Sequence, residues 1–341
     1  ACHLRGYTVA SEVLGIPVKT DPLATEGKAE LVKAFQDATA AVDSAGLCVF
    51  TTFAWSMENI APQVDAACEG DWSVDRMLEV GERMTPPRHG VCASLGYHTP
   101  RVGRRPRVAI LSTGEEIDPP ETAKLQPGKI RDANRFTLSG ALEEVGVEVL
   151  DFGIVGDEAA TLRARLAEAA AAADAVVSSG GVSMGEYDLV KHLLAELGSI
   201  EFWKVAMKPA KPFAFGRLGG TPFFGLPGNP VSVAVAFEQF LRPALLRMMG
   251  AGQLFRPRLW GVLDEPVMTD PEKTVFLRVT LTPGSDGHLH AGLSGGPGSN
   301  ILTALAAADA FAVVPVGIAG LDVGAMVELE MLQMPETRTA V

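Results

Sequence analysis

Val176-Val177-Ser178-Ser179-Gly180-Gly181-Val182-Ser183-Met184-Gly185-Glu186-Tyr187-Asp188 is the stretch that decides the fold of this 341-residue chain. A β-branched apolar run ends in a double glycine, and hydroxyls and carboxylates follow. A buried parallel strand delivers its chain in this way to a ligand at its carboxyl edge. Two comparable loops come next, Lys204-Val205-Ala206-Met207-Lys208-Pro209-Ala210-Lys211-Pro212 and Gly225-Leu226-Pro227-Gly228-Asn229-Pro230. Glycine lets backbone approach closely, proline stiffens it, and lysine supplies charge. The three loops together read as a site for a large, polyanionic small molecule.

Around these loops strand and helix patterns alternate. Strand signals are Val108–Leu111, Val147–Leu150, Ala175–Ser178, Phe202–Val205 and Phe213–Phe215. Leu138, Leu142 and Val145 form one apolar helix face that Gly146 ends; Leu189, Leu193 and Leu197 form another, ended by Gly198. A helix over 231–249 follows the third loop. The pattern predicts a three-layer α/β/α domain with a mostly parallel sheet, whose ligands sit outside the carboxyl ends of the strands. A small helical segment precedes it, with Leu31, Ala34, Phe35 and Ala38 at helical spacing. A small β domain follows, with strand-like runs Leu259–Leu263, Val275–Thr282, Phe311–Pro315 and Met326–Met331. The expected division is a helical segment at 1–83, a Pro- and Arg-rich connector at 84–104, the α/β domain at 105–252 and the β domain at 253–336.

Composition removes several classes. Net charge is −12 and 47% of residues are hydrophobic, so a large core forms and a general nucleic-acid binder is excluded. An anionic ligand therefore needs local positive charge, which the lysines of 204–211 supply. The cysteines at 2, 48, 68 and 92 have no CxxC spacing. They read as reduced thiols of a cytoplasmic protein, not as a disulfide framework or a self-contained metal site. No apolar run reaches the ~20 residues of a membrane span, and no signal peptide is legible. The sequence enters mid-domain at Ala1, which leads us to expect a further segment upstream.

Each candidate residue has a chemical and a plain structural reading. Ser112-Thr113-Gly114-Glu115-Glu116 follows the first strand; its hydroxyls can donate to an oxyanion and Glu116 can hold a divalent cation, or the group simply caps the next helix. Asp157 and Asp188 can share a Mg²⁺ with phosphates, or serve as helix N-caps. Lys204, Lys208 and Lys211, spaced around Pro209 and Pro212, can neutralise phosphate or an oxyanion, or form a solvated basic turn. Asn229 is a good N-cap and Pro230 a good first helical residue, which places unpaired N–H groups beside Gly228 as an anion cradle; the alternative is a tight turn with no ligand. His288 and His290 fall in a Gly/Asp-rich turn and are expected to face solvent.

Taken together, residues 88–336 resemble the molybdopterin molybdenumtransferases. The resemblance is carried by Arg104-Arg105-Pro106-Arg107-Val108-Ala109-Ile110-Leu111-Ser112-Thr113-Gly114-Glu115-Glu116, Ser179-Gly180-Gly181-Val182-Ser183, Phe202-Trp203-Lys204-Val205-Ala206-Met207-Lys208-Pro209 and Gly225-Leu226-Pro227-Gly228-Asn229-Pro230. It implies an enzyme that inserts molybdate, or its near-isostere tungstate, into adenylylated molybdopterin and releases AMP with Mg²⁺ assisting. It carries over Glu116, Asp157, Asp188, Lys204 and Lys208 as catalytic positions, with Glu116 and Asp188 as metal positions. Binding of the pterin nucleotide falls to Ser112, Thr113, Gly114, Ser179, Gly180, Gly181, Ser183, Lys211, Pro227, Gly228, Asn229, Pro230 and, in the β domain, Ser299 of Gly298-Ser299-Asn300-Ile301. A homodimer is implied, but the family's upstream Asn-Ser-Ala-Met-Asp-Gly-Tyr pattern is absent from this sequence.

Residues 1–83 resemble instead the C-terminal end of tungsten-dependent aldehyde ferredoxin oxidoreductases, through Ala1-Cys2-His3-Leu4-Arg5-Gly6-Tyr7, Ala24-Thr25-Glu26-Gly27-Lys28, Asp43-Ser44-Ala45-Gly46-Leu47-Cys48 and Val80-Gly81-Glu82-Arg83. The resemblance places Cys48 as a [4Fe–4S] ligand, Asp43 at a pterin and His3 near a metal. A cluster needs four ligands, so Cys48 would require three from elsewhere. The chain thus reads as a join near Arg83. Besides the transferase, two alternatives follow: a non-catalytic molybdopterin-binding module and a fragment of a tungstopterin oxidoreductase.

Overall fold

The computed structural model describes residues 80–94, 99–156, 158–180, 196–296, 298 and 300–334. The expected N-terminal helical segment, with His3, Asp43 and Cys48, lies outside them, as does the helix expected around Leu189 and Leu193.

Residues 106–243 and 255–341 form one compact unit, built on two six-stranded sheets. The first contains β1 (Arg107–Thr113), β4 (Glu148–Val155), β5 (Ala175–Ser179), β6 (Gly198–Lys204), β8 (Pro212–Leu218) and β9 (Thr221–Leu226), in the order β4-β1-β5-β9-β8-β6. Pairings β1–β4, β1–β5 and β5–β9 are parallel, whereas β8 runs antiparallel to both of its neighbours. The expected mostly parallel sheet is therefore present, with a hairpin on one edge. The sequence reading missed β9, because Pro222 and Gly225 disguise it as loop.

Helices cover both faces. On one, α3 (Ala159–Ala172) inserts Leu162, Leu166 and Ala169 against Ala109, Leu111, Val176 and Phe223. Val108, Ile110 and Val177 alternate to the other face and are fully buried there. That face receives α2 (Asn134–Val145), which buries Leu138 and Leu142. Gly146 ends α2 in the left-handed conformation, φ 94°, with its N–H on the carbonyl oxygens of Glu143 and Leu142. The helix after the third loop begins with α4 (Pro230–Ala236), passes through a π turn at Phe237–Leu241 and continues as α5 (Arg242–Met248).

The second sheet is mostly antiparallel, in the order β13-β10-β16-β14-β12-β7. Its strands are β7 (Met207–Lys208), β10 (Arg258–Leu263), β12 (Thr274–Pro283), β13 (Leu289–Leu293), β14 (Ala310–Val314) and β16 (Met326–Met331). β13 closes back on both β12 and β10, which gives the barrel-like form. Val279, Leu281, Ala291, Ala312 and Leu329 fill its core. Buried Glu330 on β16 accepts from Gln239 and from Arg258, which links the two sheets through a side-chain hydrogen bond. Short paired segments β2 (Ile117–Asp118) with β3 (Ile130–Arg131), and β11 (Val267–Met268) with β15 (Gly320–Leu321), complete the unit, together with α6 (Leu302–Ala306).

Residues 1–105 and 244–254 group separately. Where a connector was expected, Pro86–Ser94 forms α1, and tandem prolines suit a helix start because their missing N–H groups would be unpaired there. Gly252 N donates to Gly81 O at 2.9 Å, and a side chain at Gly103 would lie 2.1 Å from the Met249 carbonyl. Cys92 is buried, and burial raises its thiol pKa.

The reading of His290 as a free turn residue needs correction. It lies on β13, with Nδ1 2.8 Å from Asp264 and Nε2 3.3 Å from Asp286. These hydrogen bonds, Asp264 first, raise its pKa above the ordinary 6.5. A raised histidine pKa stabilises the fold below the unfolded value, and the contribution is lost as pH climbs through the folded value. Thermal unfolding followed from pH 6.5 upward should show this loss, and His290→Gln should remove it. An unchanged pH profile in the variant would rule the clasp out.

Candidate active site at the carboxyl edge of the first sheet

Strand register brings the loops to one edge. Ser112 lies opposite Ser179, and Ser179 opposite Leu226. Ala214 faces Gly225, and Pro212 faces Lys204. Because β6 is antiparallel to β8, and β8 to β9, β6 points the same way as the parallel strands. The ends of β1, β5, β9 and β6 therefore share one edge, the expected location for a ligand.

Two glycines make this edge possible. Gly180 adopts φ 89°, and a Cβ there would sit 2.3 Å from the Thr113 carbonyl oxygen. Gly114 adopts φ 140°, and a Cβ would sit 2.6 Å from a carboxylate oxygen of Glu116. Glu116 thus folds back over the turn that ends β1. No helix follows, so the capping alternative for the Ser112–Glu116 group does not hold; the chain enters β2 and β3, where Ile130 N donates to Glu116 O at 2.8 Å.

The start of α2 ties the edge together, and the sequence reading missed it. Asp132, 3% exposed, accepts from Ser112 Oγ at 3.0 Å and from Arg135 Nε at 2.8 Å. Asn134 Nδ2 donates to Ser179 Oγ at 2.9 Å and to Gly228 O at 2.6 Å. Ser112 and Ser179, expected to face a ligand, are buried in this network. Asn134 Oδ1 and Thr113 Oγ1 are buried with no partner in the structure. A dry, unpaired buried acceptor costs roughly 1–3 kcal/mol, so these two atoms favour a donor arriving from ligand or water. The signal in sequence was Arg131-Asp132-Ala133-Asn134, two side chains suited to a helix start.

Lys204, Lys208 and Lys211 are exposed on a backbone held at both ends: Val205 N donates to Lys211 O at 2.8 Å, and Met207 N to Val205 O at 2.8 Å. Pro227 is buried, and Gly228 and Asn229 are exposed. Asn229 occupies the N-cap position without a side-chain capping bond, so its amide is not used by the helix. Glu158, not Asp157, caps α3, accepting from Ala160 N and Thr161 N at 3.2 and 3.0 Å. Asp157, Gly181, Ser183, Asp188 and Ser299 lie outside the described residues. In the second sheet Arg278, 8% exposed, donates to the carbonyl oxygens of Gly296 and Gly298, and its Nε has no partner. Among the described residues no three carboxylate, histidine or cysteine side chains converge on a metal position, and no helix is long and apolar enough to cross a membrane. A cleft of about 630 Å³ beside Leu138, Phe237 and Phe311 is distinct from the strand-end edge and contains none of the candidates.

Comparison with known proteins agrees with this architecture. Residues 109–247 match the family described as "Probable molybdopterin binding domain", and residues 261–332 match "MoeA C-terminal region (domain IV)". The back of this chain is molybdopterin molybdenumtransferase-like. A molybdopterin molybdenumtransferase of Haemophilus influenzae is 44% identical over 184 residues, 54% of this chain and 45% of the relative. Molybdopterin molybdenumtransferase 2 of Mycobacterium tuberculosis is 36% identical over 260 residues, 74% of this chain and 63% of the relative. The crystal structure of a molybdopterin biosynthesis MoeA protein from Pyrococcus horikoshii superposes with TM-score 0.64 at 32% identity, covering 76% of this chain and 62% of that one. The chain thus spans less than two thirds of these relatives. Residues 1–96 match a different family, "Aldehyde ferredoxin oxidoreductase, domains 2 & 3".

Replacing Asn134 by alanine removes the donor shared by Ser179 and Gly228. Urea denaturation should show a loss of roughly 1–3 kcal/mol with little change in helix content. A variant as stable as the parent would remove Asn134 from its role as the tie.

Proposed function

We propose that this chain binds adenylylated molybdopterin and a metal oxyanion at the carboxyl edge of its first sheet and inserts the metal with release of AMP. The observation that carries the reading is the convergence of Thr113, Glu116, Gly180, Lys204 and the 227–230 loop on one sheet edge, in a chain whose relatives are named molybdopterin molybdenumtransferase. Molybdate is a tetrahedral dianion, and phosphoanhydride cleavage develops further negative charge. Such chemistry needs charge neutralisation and positioning more than a protein nucleophile. Lys204 and Lys208 would neutralise oxyanion and phosphate, with Lys211 behind them. Gly114, Gly180, Gly181 and Gly228 would admit the nucleotide close to backbone, with Thr113, Ser183, Pro227, Asn229, Pro230 and Ser299 lining it. Ser112 and Ser179 would act as structural partners of Asp132 and Asn134.

Mg²⁺ belongs to the same proposal. Glu116 offers the hard oxygen it requires, and Mg²⁺ is commonly held by one or two carboxylates plus substrate phosphates; Asp157 and Asp188 would complete the acidic set. Tungstate in place of molybdate, a homodimer, a cytoplasmic setting, the fusion near Arg83 and the boundaries at 83, 104, 252 and 336 are likewise proposals.

The second reading, a binding module without turnover, is favoured by one finding: the chain covers only 62–63% of its longer-matching relatives. The third, an oxidoreductase fragment, rests on the match of residues 1–96. Purified full chain, adenylyl-molybdopterin and molybdate separate them. AMP release supports the transferase, tight nucleotide binding without AMP supports the module, and iron with acid-labile sulfide supports the fragment. Lys208→Met and Glu116→Gln should each lower kcat/KM for AMP release at least about tenfold, the loss expected when a charge-assisted contact at a developing charge is removed. Unchanged kinetics in both variants would move the chemistry away from this edge.

A further inference from the structure

Lys204 and Lys208 are four positions apart yet hang on different sheets. β6 ends at Lys204 in the first sheet. β7 pairs in parallel with β12 of the second, Met207 opposite Thr274 and Lys208 opposite Val275, and Thr274 N donates to Ala206 O at 3.0 Å. The residues just before β12 carry a half-buried ion pair, Lys273 with Asp270, whose carboxylate also accepts from Glu272 N at 3.1 Å. Its pKa is lowered, first by the Lys273 hydrogen bond, then by the Glu272 amide, and also by the nearby charge of Lys208. The second sheet therefore sets one carboxylate and one ammonium beside a lysine of the candidate site.

A carboxylate next to an anion-binding lysine is a competitor, since it can neutralise the charge the anion needs. Here Asp270 is already engaged by Lys273. We propose that the Asp270–Lys273 pair of the β domain governs the charge offered by Lys208: Lys273 occupies the carboxylate, and Lys208 remains free for a metal oxyanion. The two are positioning residues acting through Lys208, and the inference rests on the reading of Lys208 given above.

Opposite signs distinguish this from a structural role. Calorimetry on the full chain, with molybdate or tungstate alone as probe at low salt, reads the effect directly. Lys273→Met frees Asp270 to turn on Lys208 and should weaken oxyanion binding about three- to tenfold, the scale of one unit charge at partly screened distance. Asp270→Asn removes the competitor and frees a second ammonium, so binding should tighten about twofold or more. The double variant should recover at least the parent affinity, which a pair needed only for folding would not allow. Thermal melts confirm that each variant folds. Weakening in both single variants, or a double variant no better than Lys273→Met, overturns the inference while leaving Lys208 as an oxyanion ligand, provided Lys208→Met abolishes binding. A parent chain that binds neither oxyanion, or binds both equally without Lys208, overturns that ligand reading and this inference with it.

Discussion

The side-chain amide of Asn134 is the interaction on which the geometry of the strand-end edge depends. It bridges the end of β5, through Ser179, and the turn after β9, through Gly228, while Asp132 two residues earlier fastens β1 through Ser112. Three strand ends are thus referenced to the first turn of one helix. Parallel strands end in loops of differing length, and nothing in the ladder itself fixes those loops against each other. Buried side-chain hydrogen bonds do so in low dielectric, where they are strong when satisfied and costly when not. The unpartnered Asn134 Oδ1 and Thr113 Oγ1 lie within this network, so the same groups that organise the edge retain capacity for a donor.

Electrostatics explain why the lysines must be concentrated. A chain carrying −12 repels phosphates and oxyanions at long range. Lys204, Lys208 and Lys211 create a local reversal within one short loop, pinned by the Val205–Lys211 backbone bond at its base and by β12 on its flank. Their side chains remain exposed. Rigidity therefore comes from the backbone, and the charge stays hydrated until a ligand arrives.

Much of this was legible in sequence. The β-branched runs at 108–111 and 175–178 could only be buried strands, and Gly146 marked a helix end by its required left-handed conformation. Gly114 and Gly180 announced close backbone approach. What escaped was set by partners distant in the chain. β9 carries Pro222 and Gly225, tolerable there because β5 and β8 flank it in register. β13, with His288 and His290 near its start, reads as a polar turn until Asp264 and Asp286 close around His290. Ser112 and Ser179 looked ligand-facing because hydroxyls after a strand usually are; their partners Asp132 and Asn134 lie 20 and 45 residues away from them. Composition also hid α1, since tandem prolines suggest a connector although they are well suited to a first helical turn.

The parallel seam between β7 and β12 has a consequence for how the protein comes into being. A nascent chain grows from its amino end, and domains tend to fold as they emerge. When Lys208 leaves the ribosome its ladder partner Val275 has not been made, nor have the strands that will support it. The first sheet can assemble its parallel core beforehand, but the lysine loop must wait, unpaired on one side, until β12 emerges. The cationic part of the edge is thus completed last. A polypeptide interrupted before Thr274 would hold a nearly finished cleft that lacks its fixed charge.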